Sequence, residues 1–254
     1  MNGIDLIRFL ETRYPKSLAY DWDNVGLQVG TLNKPIKRVL ITLDVTPDVV
    51  REAIQLKADF LISHHPLIFK PINNIQVESP RGWMIQKLIK HDIPLYSMHT
   101  NYDLADGGMN DVLANLLGIA DTAVLDPHEQ IGKYGHIIPT MLEDYIVLVK
   151  QALSTDSVRL IGTTSHPISI VGVSGGSGSN HIAEAKRRGC DLYITGDVTY
   201  HNALDAIQMG QVVLDVGHYA EQVFKTAIHT ELTAAFPELS FVVSMVDTNP
   251  YSNR

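Results

Sequence analysis

Cysteine is almost absent from this chain. Cys190 is the single one in 254 residues, so no disulfide can form within the chain, and the count points to a reducing, cytoplasmic setting. A lone thiol is either a nucleophile or a small core residue. Cys190 follows the basic, glycine-ended run Lys186-Arg187-Arg188-Gly189 and opens an apolar stretch, a position that favours packing. Long apolar runs are missing as well. No stretch approaches the roughly 18 residues that a membrane span needs. The opening Met1-Asn2-Gly3-Ile4-Asp5-Leu6 lacks the basic-then-apolar order of a secretory signal. Basic charge is in deficit: 20 Lys and Arg against 28 Asp and Glu give a formal charge of −8. A nucleic-acid partner needs the opposite excess, clustered on one face. Polyanions would be steered away unless bound metal reverses the local field.

The remaining composition is that of a compact protein, with 45% hydrophobic and 19% charged residues. At this length the chain builds one large α/β domain or two interlocked lobes. Helical periodicity is expected over 3–14, 47–57, 82–91, 109–117, 140–153, 180–188, 200–209 and 219–235. Strands are expected over 39–45, 60–63, 94–98, 158–161, 168–173, 191–195, 212–216 and 241–245. Such alternation predicts an α/β fold with mixed, largely parallel sheets. From Asp126 to Pro139 the chain turns rich in Gly, Pro and His and loses periodicity, which suggests a crossing segment. A first lobe over 1–125 with the return 212–254, and a second over 126–211, follow from that reading. The two lobes look duplicated. Aligning Asp59 with Asp191 superimposes two strand–helix–strand units, and His99 and His218 each stand where a strand yields to a helix, with Asp103 and Glu221 close behind. Coincidence among generic α/β units is the alternative.

In open α/β sheets functional groups gather at the carboxyl ends of strands. Those ends carry Asp44, His64, His65, His99, Asp103, the glycine loop 175–178, Asp197, His218 and Glu221. The tandem pair in Ser63-His64-His65-Pro66 leaves a short apolar strand. Alone, such a pair reads as one buried and one exposed histidine. At a strand end entering a turn, however, two neighbouring imidazoles can reach two ions, one each. His218 and Glu221, three apart, share one helix face and can share a ligand shell. A mixed nitrogen and oxygen set favours Zn, Mn, Fe, Co or Ni over Mg or Ca. A dinuclear site is therefore one reading and unrelated core or surface residues the other. The loop 174–178 fits no nucleotide-binding pattern and reads as a tight turn, although its amides could hold an anion. Asp21-Trp22-Asp23-Asn24 reads as a turn leading into a short strand.

Six motifs occur in the order of a known family: DNVGLQVG (23–30), LDVTP (43–47), SHHP (63–66), HTNYD (99–103), Gly196-Asp197 with a following His201, and GHYAE (217–221). By these the chain resembles the Nif-three-like family, many of whose members carry the label GTP cyclohydrolase 1 type 2 homologue. It resembles the short form, without the domain that some relatives insert. The resemblance implies a Nif-three-like fold and two divalent metal ions per chain held by His64, His65, Asp103, His218 and Glu221. It also implies a ring-shaped homohexamer. His99, His201 and Asp197 become candidates for proton transfer or for orienting the ligands. Two functions compete. One is a metal-dependent hydrolase that directs metal-bound water at a small phosphorylated or nucleotide-like substrate. The other is a non-catalytic metal-handling protein or regulatory scaffold.

Overall fold

The structure, a computed structural model, describes residues 1–252. Eleven strands run through the described residues: Gly26–Val29 (β1), Arg38–Thr42 (β2), Phe60–Ser63 (β3), Leu95–Ser97 (β4), Ala120–Asp126 (β5), Ile131–Thr140 (β6), Arg159–Ile161 (β7), Ile168–Val173 (β8), Leu192–Thr195 (β9), Val213–Asp215 (β10) and Ser240–Val243 (β11). They form two sheets, ordered β1-β4-β3-β2-β11 and β5-β6-β8-β9-β10-β7. In the first, β4, β3, β2 and β11 are mutually parallel and β1 pairs antiparallel at the edge. The second keeps β8, β9 and β10 parallel and adds antiparallel neighbours on both sides. The α/β class with mixed sheets is thus the observed one.

The described residues divide into two compact units, one of residues 1–105 with 224–250 and one of 106–223 with 251–252. These boundaries differ from the 125/126 and 211/212 divisions expected from composition, and the reason is the segment read as a crossing. Residues 120–140 are a β-hairpin of the second sheet, with Val124 opposite Lys133 and Ala123 opposite Tyr134. Strand pairing carries β5 into the second unit, and β10 follows by its parallel register with β9. Gly135 explains the misleading composition, because a Cβ there would lie 2.2 Å from the Ala120 carbonyl oxygen. Glycine is there to let two strands approach, and it had read as a loop residue.

In the first unit, β3 is buried at every position, as a strand with both faces covered must be. One covering helix, Pro47–Gln55, begins at Thr46, whose side chain accepts from the Val49 amide, with Pro at the first turn. It packs Val49, Val50 and Ala53 on Leu40 and Leu61, together with Met84, Ile85 and Leu88 of the helix Pro80–Lys90. The second unit's core gathers Leu125, Ile182, Ala185, Cys190, Tyr193, Ala206 and Val213. Cys190 is a buried core residue there, and burial pushes its thiol up to about 12.

The units share a construction. Asp59 stands one residue before β3 and accepts from the amides of Lys37 and Arg38 at the start of β2, at 2.8 and 2.9 Å. Asp191 stands one residue before β9 and accepts from the amides of Ser169 and Ile170 at the start of β8, at the same distances. The two aspartates fasten equivalent strand pairs, which supports an internal duplication.

Candidate metal centre

In the first unit the chemistry lies at the exits of β3 and β4. The strand ends at Ser63, whose hydroxyl bonds the Ser97 hydroxyl at 2.8 Å and donates to the His65 carbonyl oxygen at 2.9 Å. These contacts hold the turn in which the strand's alternation lapses. His64 turns inward and is fully buried, with its ring 5.1 Å from Phe224 and 6.2 Å from Tyr102. Its Nδ1 meets the Met98 carbonyl oxygen at 2.7 Å. A carbonyl only accepts, so Nδ1 carries the hydrogen, and Nε2 is the nitrogen that faces Asp103 Oδ1, at 3.5 Å. His65 is placed with equal definition but by a different partner, its Nδ1 bonding Asp44 Oδ1 at 2.7 Å. Burial alone would raise the Asp44 carboxyl. The hydrogen bond and charge of His65, with the Thr248 hydroxyl 2.7 Å from Oδ2, outweigh it and hold the group below the ordinary carboxylate range.

His99 completes the group. Its Nδ1 lies 2.9 Å from Asp23 Oδ1, while Asp23 Oδ2 accepts from the Thr100 amide at 3.0 Å and the Thr100 hydroxyl at 2.6 Å. The Asp23 side chain is wholly buried. Burial acts to raise its carboxyl, yet the bonds from His99 and Thr100 prevail and hold it at about 2. Ligand-capable atoms of His64, His65 and His99 all lie within 4.8 Å of one another. His99, expected from the sequence to move protons or orient ligands, therefore also has the placement of a nitrogen ligand.

In the second unit the exit of β10 runs through Gly217 into a 3₁₀ turn, His218–Gln222, before the helix Val223–Ala235. Side chains three apart eclipse in a 3₁₀ turn, so the spacing His218…Glu221 brings Nε2 to 3.2 Å from Oε2. The four-residue spacing His99…Asp103 belongs instead to a short α-helix, Thr100–Leu104. His218 Nδ1 meets Asp197 Oδ2 at 2.7 Å, and Asp197 holds a φ of 54° to do so. Glu221 is buried against the glycine loop. A Cβ at Gly175 or Gly176 would stand 3.0 or 2.9 Å from its Oε1, and one at Gly196 would stand 2.8 Å from the His218 amide nitrogen. The glycines are a seat for this carboxylate and histidine.

The donor set suits a divalent cation. Each of the four histidines engages Nδ1 with a carboxylate or carbonyl oxygen and presents Nε2, the usual arrangement of metal-ligating imidazoles. At His64–Asp103 and His218–Glu221 the Nε2 stands 3.5 and 3.2 Å from a carboxylate oxygen, so a nitrogen and an oxygen donor are close enough to serve one cation. His201 is exposed on the helix Tyr200–Met209 and meets the Tyr200 ring. It lies outside this second-unit group. Sequence reading missed Asp23, taken for a turn residue, and named Asp44 at a strand end without a role. A carboxylate followed by an amide-rich turn was the available signal for the first.

A family model described as Duf34/NIF3 (NGG1p interacting factor 3) matches residues 1–250. A relative from Streptococcus pneumoniae named GTP cyclohydrolase 1 type 2 homolog is 36% identical over 262 residues, covering 99% of each chain. A Bacillus subtilis protein of the same name is 31% identical over 367 residues, covering 99% of this chain and 98% of that one. Its longer alignment over the same chain marks this one as a short form. A crystal structure of a Bacillus cereus protein related to NIF3 superposes with a TM-score of 0.94 at 30% identity, covering 100% of this chain and 99% of that one. Reduced HcgD from Methanocaldococcus jannaschii gives 0.86 at 31%, covering 97% and 98%.

Proposed function

The chain belongs to the Duf34/NIF3 family, and on that premise we propose that it holds two divalent metal ions and hydrolyses a small phosphorylated or nucleotide-like substrate. His64, His65, Asp103, His218 and Glu221 are the proposed ligands, with His64 and His65 serving different ions. The observation that carries the reading is the uniform fixing of the histidines: every Nδ1 is engaged and every Nε2 presented. The nitrogen and oxygen donors favour Zn, Mn, Fe, Co or Ni. When bound, two such ions supply Lewis acidity and make water a nucleophile at neutral pH.

The chain's own residues do the rest. Asp44 and Asp197 fix the tautomers of His65 and His218, and such partners raise ligand basicity. Asp23 holds His99 so that its Nε2 can accept or return a proton in the same region. Five protein ligands over two ions leave coordination positions for water and substrate, as a catalytic site requires. The curated relatives' shared name, GTP cyclohydrolase 1 type 2 homolog, agrees with hydrolysis of a nucleotide-like molecule. A cytoplasmic location and a homohexameric ring belong to the same reading, the latter testable by light scattering.

Elemental analysis of gently purified protein tests the metal reading. About two transition-metal ions per chain are expected, reduced in His64→Ala and in Glu221→Ala. Absence of bound metal sinks it. A panel of phosphoester, nucleotide and amide substrates tests the chemistry. If metal-loaded wild type and the His64→Ala, Glu221→Ala double variant perform alike on all of them, a non-catalytic metal-handling role replaces hydrolysis.

A further inference from the structure

Metal binding leaves most of the motif Asp23-Asn24-Val25-Gly26-Leu27-Gln28 without a purpose. Asp23 orients His99, but Asn24 and Gln28 reach a different loop. Asn24 Nδ2 donates to the Ile68 carbonyl oxygen at 2.5 Å, and the Ile68 amide donates to Gln28 Oε1 at 3.2 Å. These bonds pin the segment bearing Phe69 to the segment bearing Trp22, whose ring centroids lie 5.9 Å apart at 70°. Tyr20 stacks on Trp22 at 5.5 Å and 27°, and its amide donates to the Thr100 hydroxyl that bonds Asp23. Trp22 and Phe69 both stand edge-to-face with His99, at 6.2 and 6.1 Å. The three rings are thus fastened to the network that fixes His99, yet Trp22 is 59% and Phe69 41% exposed.

We propose that Tyr20, Trp22 and Phe69 form a stacking rim for the planar heteroaromatic ring of the substrate, held beside His99. The proposal deepens the hydrolase reading and rests on it only for where the reacting group lies. The rim exposes about 300 Å², far short of the roughly 800 Å² per partner of a stable protein interface. One face of a bicyclic ring matches it. Ring edges and an indole face attract a π-system beyond what area alone provides. An organic cation, which would also favour aromatic faces, is disfavoured beside histidines placed to hold divalent ions.

The test uses the full chain with Trp83→Phe, which leaves Trp22 as the only tryptophan of the two. Trp83 lies against Arg51 and Lys87, on the helix Pro80–Lys90 and apart from the rim. Guanosine and adenosine 5′-monophosphates are expected to quench its emission saturably, and ribose 5-phosphate to bind about 5- to 100-fold more weakly, as stacking of one ring predicts. By calorimetry, Trp22→Ala should weaken both nucleotides by a similar factor and leave ribose 5-phosphate affinity and metal content unchanged. The proposal is overturned if ribose 5-phosphate binds as tightly as the nucleotides, if Trp22→Ala does not matter, or if neither nucleotide binds. Quenching by protein that never acquires metal would keep the rim and remove the metal centre. Two bound ions with no preference for a ring would do the reverse.

Discussion

Replacing Asp23 by asparagine tests the buried anchor from which His99 and the aromatic rim both hang. The carboxylate accepts three hydrogen bonds on two oxygens, from His99 Nδ1 and from the amide and hydroxyl of Thr100. Asparagine offers one oxygen, so its amide nitrogen must face a donor on one side. Losing bonds to a buried charge costs roughly 1.5–3 kcal/mol. The pKa gives an independent figure. A carboxyl held at about 2 against an ordinary 3.8 contributes roughly 2.4 kcal/mol when ionised in both states. The folded value is the depressed one, so this stability is present above pH 3.8 and is lost as pH falls through 2. At pH 5 nearly all of it remains; at pH 3 linkage leaves about 1.3 kcal/mol. Urea denaturation of chelator-treated wild type and Asp23→Asn at both pH values reads the difference. The expected destabilisation is about 2–3 kcal/mol at pH 5 and about half that at pH 3. A variant within about 0.5 kcal/mol of wild type at pH 5, or a difference equal at the two pH values, refutes the reasoning.

Asp44→Asn and Asp197→Asn remove the acceptors that fix His65 and His218, and each should weaken metal binding about 10- to 100-fold in chelator competition. Gly176→Ala adds a Cβ 2.9 Å from Glu221 Oε1 at a φ of 60°; it should lower metal content while circular dichroism stays that of wild type. Cys190, buried and with its thiol raised to about 12, should resist iodoacetamide at pH 8 in native protein and react at once in guanidinium.

The histidines of the candidate site could be picked out in the sequence because they sit where strand order itself places polar groups. A strand exit needs only a short apolar run before it and a turn after it, so His64, His65, His99 and His218 could be located one residue at a time. Their partners could not. Asp23 and His99 are 76 positions apart and Asp44 and His65 are 21 apart; only the folded sheet determines which carboxylate an imidazole meets. The hairpin of 120–140 was hidden for a related reason. Gly135 and the irregular register between Ala120 and Ala123 interrupt the two-residue alternation that marks a strand, although both serve the pairing of strands. Asp21-Trp22-Asp23-Asn24 was hidden by its own turn chemistry. Asx-rich turns are common and usually end at the turn, whereas here the same residues place a buried carboxylate on His99 and an exposed indole beside it. Local composition reports the conformation a segment adopts. What that conformation is for depends on the side chains it meets from elsewhere in the chain, and in this protein the orientation of the histidines is supplied almost wholly by those distant partners.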